Sequence, residues 1–186
     1  MRVIAGSAKG VRLGPVPPGV RPVSDVAREG LFSSLGGAVA GARVLDLFAG
    51  TGALAIEALS RGAEHAVLVE RNRRCARTIR ENLARARLEE RAEVVVADAL
   101  AFADGEAERR GPVDLVLADP PYDAPPSAVD ALLDALSRGW LSPGAAVALT
   151  RAARSSTPVI PVHWRLARRL GYGDTAVLIL REVAWA

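Results

Sequence analysis

The chain has 186 residues, of which 50% are hydrophobic and 24% charged, with a formal net charge of +3. This length and composition predict one domain, or one domain with a short appendage. A single cysteine, Cys75, excludes an intrachain disulfide and a cysteine-built zinc site, and two histidines argue against a histidine-rich metal centre, so we expect no metal. The sequence shows no apolar run long enough to span a membrane and no apolar block of a signal peptide, so we expect a cytoplasmic protein.

The charges are distributed in blocks. Residues 1–40 carry five basic and two acidic side chains, whereas residues 92–150 carry three basic and ten acidic ones. Basic surfaces that flank an acidic centre are typical of enzymes that act on nucleic acid. A mixed, solvated surface gives the same counts, and on charge alone it is the simpler interpretation.

Residues 1–22 predict an N-terminal extension. Two strand-like pieces at 2–5 and 11–13 flank the glycine-bounded segment 6–10, which suits a hairpin loop. A run rich in glycine and proline at 14–19 then interrupts regular structure. The basic residues of this extension could bind phosphates or be plain surface charge, and the sequence leaves both open: Arg2, Lys9, Arg12 and Arg21.

From residue 23 onward, helices and strands alternate. Ser24 or Asp25 is expected to cap a helix that runs to about Leu35 and buries Val26, and Ser127 is expected to cap a later helix. Two further helices are predicted at 53–61 and 73–87. Buried strands are predicted at 44–48, 66–69, 93–97, 113–118 and 145–150, with two more at 159–170 and 175–181. Such alternation predicts an α/β, doubly wound parallel sheet.

The fourth predicted strand stops at Asp119-Pro120-Pro121-Tyr122. Proline lacks an N–H and keeps the preceding residue extended, so Asp119 is expected at the carboxyl tip of the strand. Open α/β sheets bind their ligands at such tips. An acid, a fixed carbonyl and an aromatic ring at this place suit a flat polar group such as a nucleobase.

A second motif, D-L-F-A-G-T-G at 46–52, joins the first strand to a helix. Its glycines let the backbone pass close beneath a ligand, although a tight turn alone would also use them. The third glycine of the dinucleotide fingerprint is replaced by an apolar run, and no Walker lysine follows. The motif therefore disfavours an NAD-linked oxidoreductase and a triphosphate site.

Acidic residues close four successive strands: Asp46, Glu70, Asp98 and Asp119. Glu70 stands close to where an acid grips ribose hydroxyls, and Asp98 is placed to accept from an adenine amino group. A binding site for a nucleoside without phosphates needs acidic side chains and no cluster of arginines. S-adenosylmethionine is such a ligand, and its sulfonium cation tolerates an acidic cleft.

Together these motifs resemble those of class I S-adenosylmethionine-dependent methyltransferases, and D-P-P-Y resembles the subset that methylates exocyclic amines of nucleobases. The segments R-V-I-A-G-S-A-K-G-V-R-L, R-P-V-S-D-V-A-R-E-G-L-F-S-S-L and G-Y-G-D-T-A-V-L-I-L are similar to the RsmD family. These are bacterial enzymes that methylate the guanine N2 amine of small-subunit ribosomal RNA. The resemblance covers essentially the whole chain, but Val23 and Val26 replace the family's usual threonine and arginine.

The resemblance implies a Rossmann-like class I methyltransferase sheet over residues 23–186, mostly parallel with an antiparallel C-terminal strand, preceded by a small β-hairpin over residues 1–22 that contacts RNA. It implies S-adenosylmethionine as cofactor and 16S ribosomal RNA, within a partly or fully assembled 30S particle, as partner. The implied catalytic residues are Asp119, Pro120 and Tyr122. The implied cofactor-binding residues are Asp46, Phe48, Gly50, Thr51, Gly52, Glu70, Arg71, Asp98 and Ala99.

Two alternatives stay open. A DNA adenine-N6 methyltransferase also uses D-P-P-Y, but those enzymes usually carry a separate target-recognition region, for which this chain has no room beyond the hairpin. A non-catalytic RNA-binding module on the same scaffold would not need an intact motif at 119–122.

Overall fold

The structure, a computed structural model, describes residues 1–16 and 23–183. Its strands are β1 (Arg43–Leu47), β2 (His65–Val69), β3 (Ala92–Val95), β4 (Val113–Ala118), β5 (Leu141–Ala152), β6 (Trp164–Tyr172) and β7 (Thr175–Glu182). Its α-helices are α1 (Asp25–Leu35), α2 (Ala53–Ser60), α3 (Arg73–Ala86), α4 (Ala99–Gly105), α5 (Ala107–Arg110) and α6 (Pro126–Ser137). Within the described residues, none of the helices is long and apolar enough to cross a membrane.

The seven strands form one sheet in the order β3-β2-β1-β4-β5-β7-β6. Strands β1 to β5 pair in parallel, whereas β7 is antiparallel to both β5 and β6. The predicted α/β fold, mostly parallel with an antiparallel C-terminal strand, is therefore confirmed. The strand order reverses at β1, which lies between β2 and β4, and a ligand crevice is expected beyond the carboxyl ends of these strands.

Both faces of the sheet are covered, which explains why its parallel strands are almost continuously apolar. On one face, a cluster of buried side chains joins the strands to Leu31 of α1, Ile56 of α2 and Ile79 of α3. On the other face, a second cluster joins them to Phe102 of α4 and Leu133 of α6. The two layers fix the sheet and leave its carboxyl edge for function.

The predicted N-terminal hairpin is present in a short form: Arg2 and Arg12 form an antiparallel bridge, the Val3 N–H donates to Val11 O at 3.0 Å, and the Leu13 N–H donates to Met1 O at 3.1 Å. Although it precedes the main domain in the chain, its apolar residues belong to the common core, because Val3, Ala8 and Leu13 are all buried there. The predicted domain boundary after residue 22 lies next to the segment 17–22. This segment is outside the described residues, so the boundary stays a prediction.

Two local expectations need correction, and two helices were not predicted. Val26 is 66% exposed, because the buried face of α1 runs through Ala27, Leu31 and Leu35 instead. Ser127 does not cap α6, which begins at Pro126 after an extended Pro125, a position that suits the fixed φ of proline. Helices α4 and α5 were not expected; α4 begins directly after Asp98, and α5 begins after Glu106.

A buried carboxylate anchors the N-terminal segment. Glu57 of α2 has no exposed surface, and its two oxygens accept the N–H groups of Ile4 at 2.8 Å and Ala5 at 3.0 Å. Arg61 donates its Nε to the same carboxylate at 2.7 Å. The carboxylate therefore satisfies two backbone donors and is itself neutralised, as burial of a charge requires.

We expect Glu57→Ala to lower the free energy of unfolding by about 3 kcal/mol or more, because two backbone donors and one guanidinium lose their acceptor. Urea denaturation measures the effect. Glu81→Ala is the matched control, since Glu81 pairs with Arg77 on an exposed face of α3, and such pairs contribute less than about 1 kcal/mol. Equal losses in the two variants would show that Glu57 is not an anchor.

Candidate active site

Three backbone hydrogen bonds continue the parallel ladders past the strand ends. Ala49 donates to Val69 O at 3.0 Å, Glu70 to Val95 O at 3.0 Å, and Asp119 to Leu47 O at 3.3 Å. Each bond fixes the first residues after a strand against the end of its neighbour. The loops that follow β1, β2 and β4 are thereby held side by side at one edge of the sheet.

These loops surround a cavity of about 560 Å³, within the usual range for small-molecule sites. Val23, Asn72, Cys75 and Asp123 line it without having been predicted as site residues. Gly52 and Asp98, which were predicted to bind the cofactor, do not line it. The cavity brings together most of the predicted set: Asp46, Phe48, Gly50, Thr51, Glu70, Arg71, Ala99, Asp119, Pro120 and Tyr122.

The loop between β1 and α2 takes an unusual backbone path. Phe48 has φ +61°, in a region that bulky residues rarely occupy and that is often associated with functional sites. Gly52 has φ +76°, and a side chain there would lie 3.2 Å from both Ile79 and Leu68. Gly52 therefore allows α2 to pack closely on the sheet, which explains why it stands behind the cavity wall.

Glu70 links two of the loops. Its Oε2 accepts the Gly50 N–H at 2.9 Å, and its Oε1 accepts the Asn72 N–H at 2.8 Å. Asn72 in turn caps α3 through its side chain. Because a carboxylate oxygen can accept two hydrogen bonds, Glu70 can hold the glycine loop and still accept from ligand hydroxyls.

Asp98 serves as the cap of α4. Its Oδ1 accepts the N–H groups of Leu100 at 3.0 Å and Ala101 at 3.1 Å. The following residue, Ala99, lines the cavity and is buried. Phe102 of α4 stacks on Trp140 in the core with ring centroids 5.7 Å apart.

Asp46 is a buried acid with an unused acceptor. Its Oδ2 accepts the Ala55 N–H at 3.1 Å, whereas Oδ1 is buried and has no partner among the described residues. Burial raises the pKa of Asp46 well above its ordinary value; the Ala55 N–H opposes this rise, and the Asp119 and Glu70 carboxylates add to it. A ligand that brings a positive charge or an N–H donor would relieve this cost.

Asp119 also stands in a low-dielectric setting. Burial raises its pKa to about 6, and a hydrogen bond with the Thr150 hydroxyl opposes the rise. Tyr122, in the same loop, is 36% exposed, and its hydroxyl lies 2.8 Å from Thr175 Oγ1. The sequence gives no signal for the two threonines, because they are 31 and 53 positions away from their partners.

The described basic residues of the N-terminal segment lie apart from this cavity. Arg2 and Lys9 line a smaller depression of about 210 Å³, and Arg12 is exposed. Arg21 lies outside the described residues. Arg28 is fully buried and donates its Nη2 to Arg2 O at 2.8 Å, so it supports this segment.

Ser24 caps α1 by accepting the Ala27 N–H at 3.2 Å. Neither Ser24 nor Arg28 lines the larger cavity. Over residues 1–16 and 23–183, no group of three or more His, Cys, Asp or Glu side chains is arranged to hold a metal ion.

Comparison with known proteins identifies related chains. A family model described as "Conserved hypothetical protein 95" matches residues 1–181. "Ribosomal RNA small subunit methyltransferase D" of Escherichia coli (strain K12) is 34% identical over 187 residues, covering 99% of this chain and 91% of that protein. "Putative rRNA methyltransferase YlbH" of Bacillus subtilis (strain 168) is 42% identical over 123 residues, covering 66% of this chain and 67% of that protein.

The fold is shared with solved structures as well. The structure of "Putative methyltransferase yhhF from Escherichia coli" superposes with a TM-score of 0.88 at 31% identity, covering 100% of this chain and 99% of that chain. The match thus extends over the N-terminal segment, the sheet and the cavity alike. The chain belongs to the RsmD family, whose members include the ribosomal RNA small subunit methyltransferases D.

Proposed function

We propose that this protein transfers a methyl group from S-adenosylmethionine to the exocyclic N2 amine of a guanine in small-subunit ribosomal RNA. The observation that carries the proposal is the half-buried Asp119 carboxylate beside the Pro120 carbonyl, in the wall of a cavity whose other acids suit a cationic nucleoside. Membership of the RsmD family supports the substrate class. The target guanine is reached in the cytoplasm, where the small subunit is assembled.

The cavity residues fit S-adenosylmethionine. The unused Oδ1 of Asp46 accepts a donor of the methionine end, and Glu70 accepts from ribose hydroxyls while it holds Gly50. Ala99, aided by Asp98, receives the adenine. When bound, the cofactor supplies a methyl group that is activated by its sulfonium charge.

The acceptor side of the site supplies hydrogen-bond acceptors for an amine. The lone pair of an exocyclic amine is delocalised into the base, so the amine is a poor nucleophile. Ionised Asp119 and the Pro120 carbonyl are both acceptors, and they can take the two N–H groups of such an amine. This arrangement draws the nitrogen towards tetrahedral geometry and leaves Asp119 to receive the proton, so positioning and electrostatics supply the catalysis.

Tyr122 completes the acceptor side. A guanine within folded RNA is reached only after it leaves its stack, and an aromatic ring can then stack on the exposed face of the base. The ring of Tyr122 stands at the cavity with part of its surface open to solvent. We propose that Arg2, Lys9 and Arg12, together with Arg21, hold the RNA backbone while the base is bound, within a partly or fully assembled 30S particle.

The test is an incubation with methyl-labelled S-adenosylmethionine and, in parallel, 16S RNA, partly assembled small subunits and duplex DNA. Digestion to nucleosides identifies the labelled base. We expect label in N2-methylguanosine from RNA or subunits only. Label in DNA adenine would overturn the substrate, and cofactor binding without any label would overturn the acceptor proposed.

Asp119→Asn is expected to lower kcat by at least about 100-fold, because the amide neither accepts a proton nor pairs with two donors as a carboxylate does. Cofactor binding, measured by calorimetry, should stay close to that of the wild type. Wild-type turnover is expected to be lost as the pH falls through about 6, since Asp119 becomes protonated there. Near-normal turnover in the variant would remove Asp119 from the mechanism.

Glu70→Ala is expected to weaken S-adenosylmethionine binding by about tenfold or more, because it removes an acceptor for the ribose and frees the Gly50 loop. The control is Glu64→Ala, an exposed acid at the amino-terminal end of β2. Isothermal calorimetry on both variants measures the dissociation constants. Equal affinities in the two variants would contradict the assignment.

Removal of positive charge from the N-terminal segment is expected to act on RNA binding alone. In Lys9→Ala/Arg12→Ala the slope of log Kd against log salt should fall by about one for each lost phosphate contact, with kcat at saturating RNA retained. Arg109→Ala is the control, since this exposed arginine belongs to α5, which leads into the amino-terminal end of β4. An unchanged slope in the double variant would show that the segment does not contact phosphates.

A further inference from the structure

Two threonines of the C-terminal strands contact the acceptor side of the site. Thr150 belongs to β5 and pairs with Val177, and Thr175 begins β7 and pairs with Ala152. The Thr150 hydroxyl bonds to Asp119, and the Thr175 hydroxyl bonds to Tyr122. Both side chains proposed to hold the target base are thus tied to one antiparallel strand pair.

Thr150 is almost completely buried, with 1% of its surface exposed. Its Oγ1 contacts Asp119 Oδ1 closely and lies 3.4 Å from the Ala118 carbonyl oxygen. A hydroxyl has one proton to donate and can accept as well. It therefore donates to Asp119 when the carboxylate is ionised. It can accept from Asp119 once that group is protonated, with its own proton turned to Ala118.

The second oxygen of Asp119 has a different environment. In the part of the chain that the structure describes, Oδ2 accepts no hydrogen bond, whereas Oδ1 is engaged by Thr150. With one oxygen held, the carboxylate cannot rotate freely about its last bond. The other oxygen then has a fixed direction for an incoming N–H donor.

We propose that Thr150 is a positioning residue for methyl transfer: its hydroxyl holds Asp119 Oδ1 so that Oδ2 meets the target amine, while Thr175 holds Tyr122 against the same base. The inference rests on the proposed function, because it assumes that Asp119 receives the amine. It adds β5 and β7 to the elements that shape the acceptor side.

The surroundings of Asp119 make the effect of Thr150 visible in a titration. Asp46, from the end of β1, is the acid that interacts with Asp119 across the cavity. Arg151, next to Thr150 in β5, projects to the opposite face of the sheet because side chains alternate along a strand. Thr150 thus supplies the hydrogen bond that opposes the effect of burial on the pKa of Asp119.

The test compares Thr150→Val, which keeps the shape and removes the hydroxyl, with Thr150→Ser, which keeps the hydroxyl. We expect Thr150→Val to lower kcat by about 10- to 100-fold near pH 6, the loss typical for a hydrogen bond to a charged group. The acidic limb of its pH–rate profile should move to higher pH, since the ionised carboxylate has lost a donor. KM for RNA and the affinity for S-adenosylmethionine should stay unchanged, and Thr150→Ser should restore both rate and profile.

Thr78→Val is the matched control, because the Thr78 hydroxyl donates to a backbone carbonyl within α3 at the surface. A loss of rate in Thr150→Val with an unmoved pH profile, or an equal loss in Thr150→Ser, would assign Thr150 to packing alone and overturn the proposal.

A readout without substrate separates this inference from the proposed function. The pKa of Asp119, followed by NMR on carboxyl-labelled protein, should rise in Thr150→Val and return in Thr150→Ser whether or not RNA is methylated. If the pKa of Asp119 rises in Thr150→Val but the protein methylates no RNA, the proposed substrate is refuted and the proposed role of the hydrogen bond is supported. An unchanged pKa would refute the inference even if RNA is methylated.

Discussion

The parallel pairing of β1 with β4 is the constraint on which the site depends. Leu47 lies opposite Ala118, and the Asp119 N–H bonds back to Leu47 O, so the acceptor loop begins where the glycine loop begins. A shift of one residue in this register would turn Asp119 to the other face of the sheet. The cofactor side and the acceptor side of the site are therefore adjacent because β1 and β4 end together.

Charge explains the rest of the cavity. Asp46, Glu70 and Asp119 are brought to one edge. Burial raises the pKa values of Asp46 and Asp119, and the Asp119 and Glu70 carboxylates raise the pKa of Asp46 further. The protein tolerates this repulsion where a cationic ligand can relieve it. A site for a phosphate-bearing nucleotide would need the opposite arrangement, with cations or free backbone N–H groups in the same places.

The sequence was most informative where an apolar run ends abruptly at an acidic residue. Apolar runs that stop at Glu70 and Asp119 indicate buried strands with acids at their tips, and both acids line the cavity together with Asp46, which lies within β1. The roles of Thr150, Glu57 and Arg28 could not be predicted, because they depend on groups that are far away in the chain or on a burial that charged residues seldom undergo. The predicted burial of Val26 was wrong, because the neighbouring turns of α1, and not the hydrophobicity of Val26 itself, decide which face of the helix is covered.

The first sixteen residues form hydrogen bonds with groups that are synthesised later in translation. Ile4 and Ala5 donate to Glu57, and Gly14 donates to Asn82, 68 positions further on, whose amide also holds Thr51 O in the glycine loop. Chains emerge from the N-terminus at roughly 5–20 residues per second, so the donors of Ile4 and Ala5 stay hydrated until α2 has been synthesised, and the donor of Gly14 until α3 has been synthesised. The segment translated first can therefore dock fully only after residue 82 has been added. Asn82 then joins Gly14 to the loop between β1 and α2.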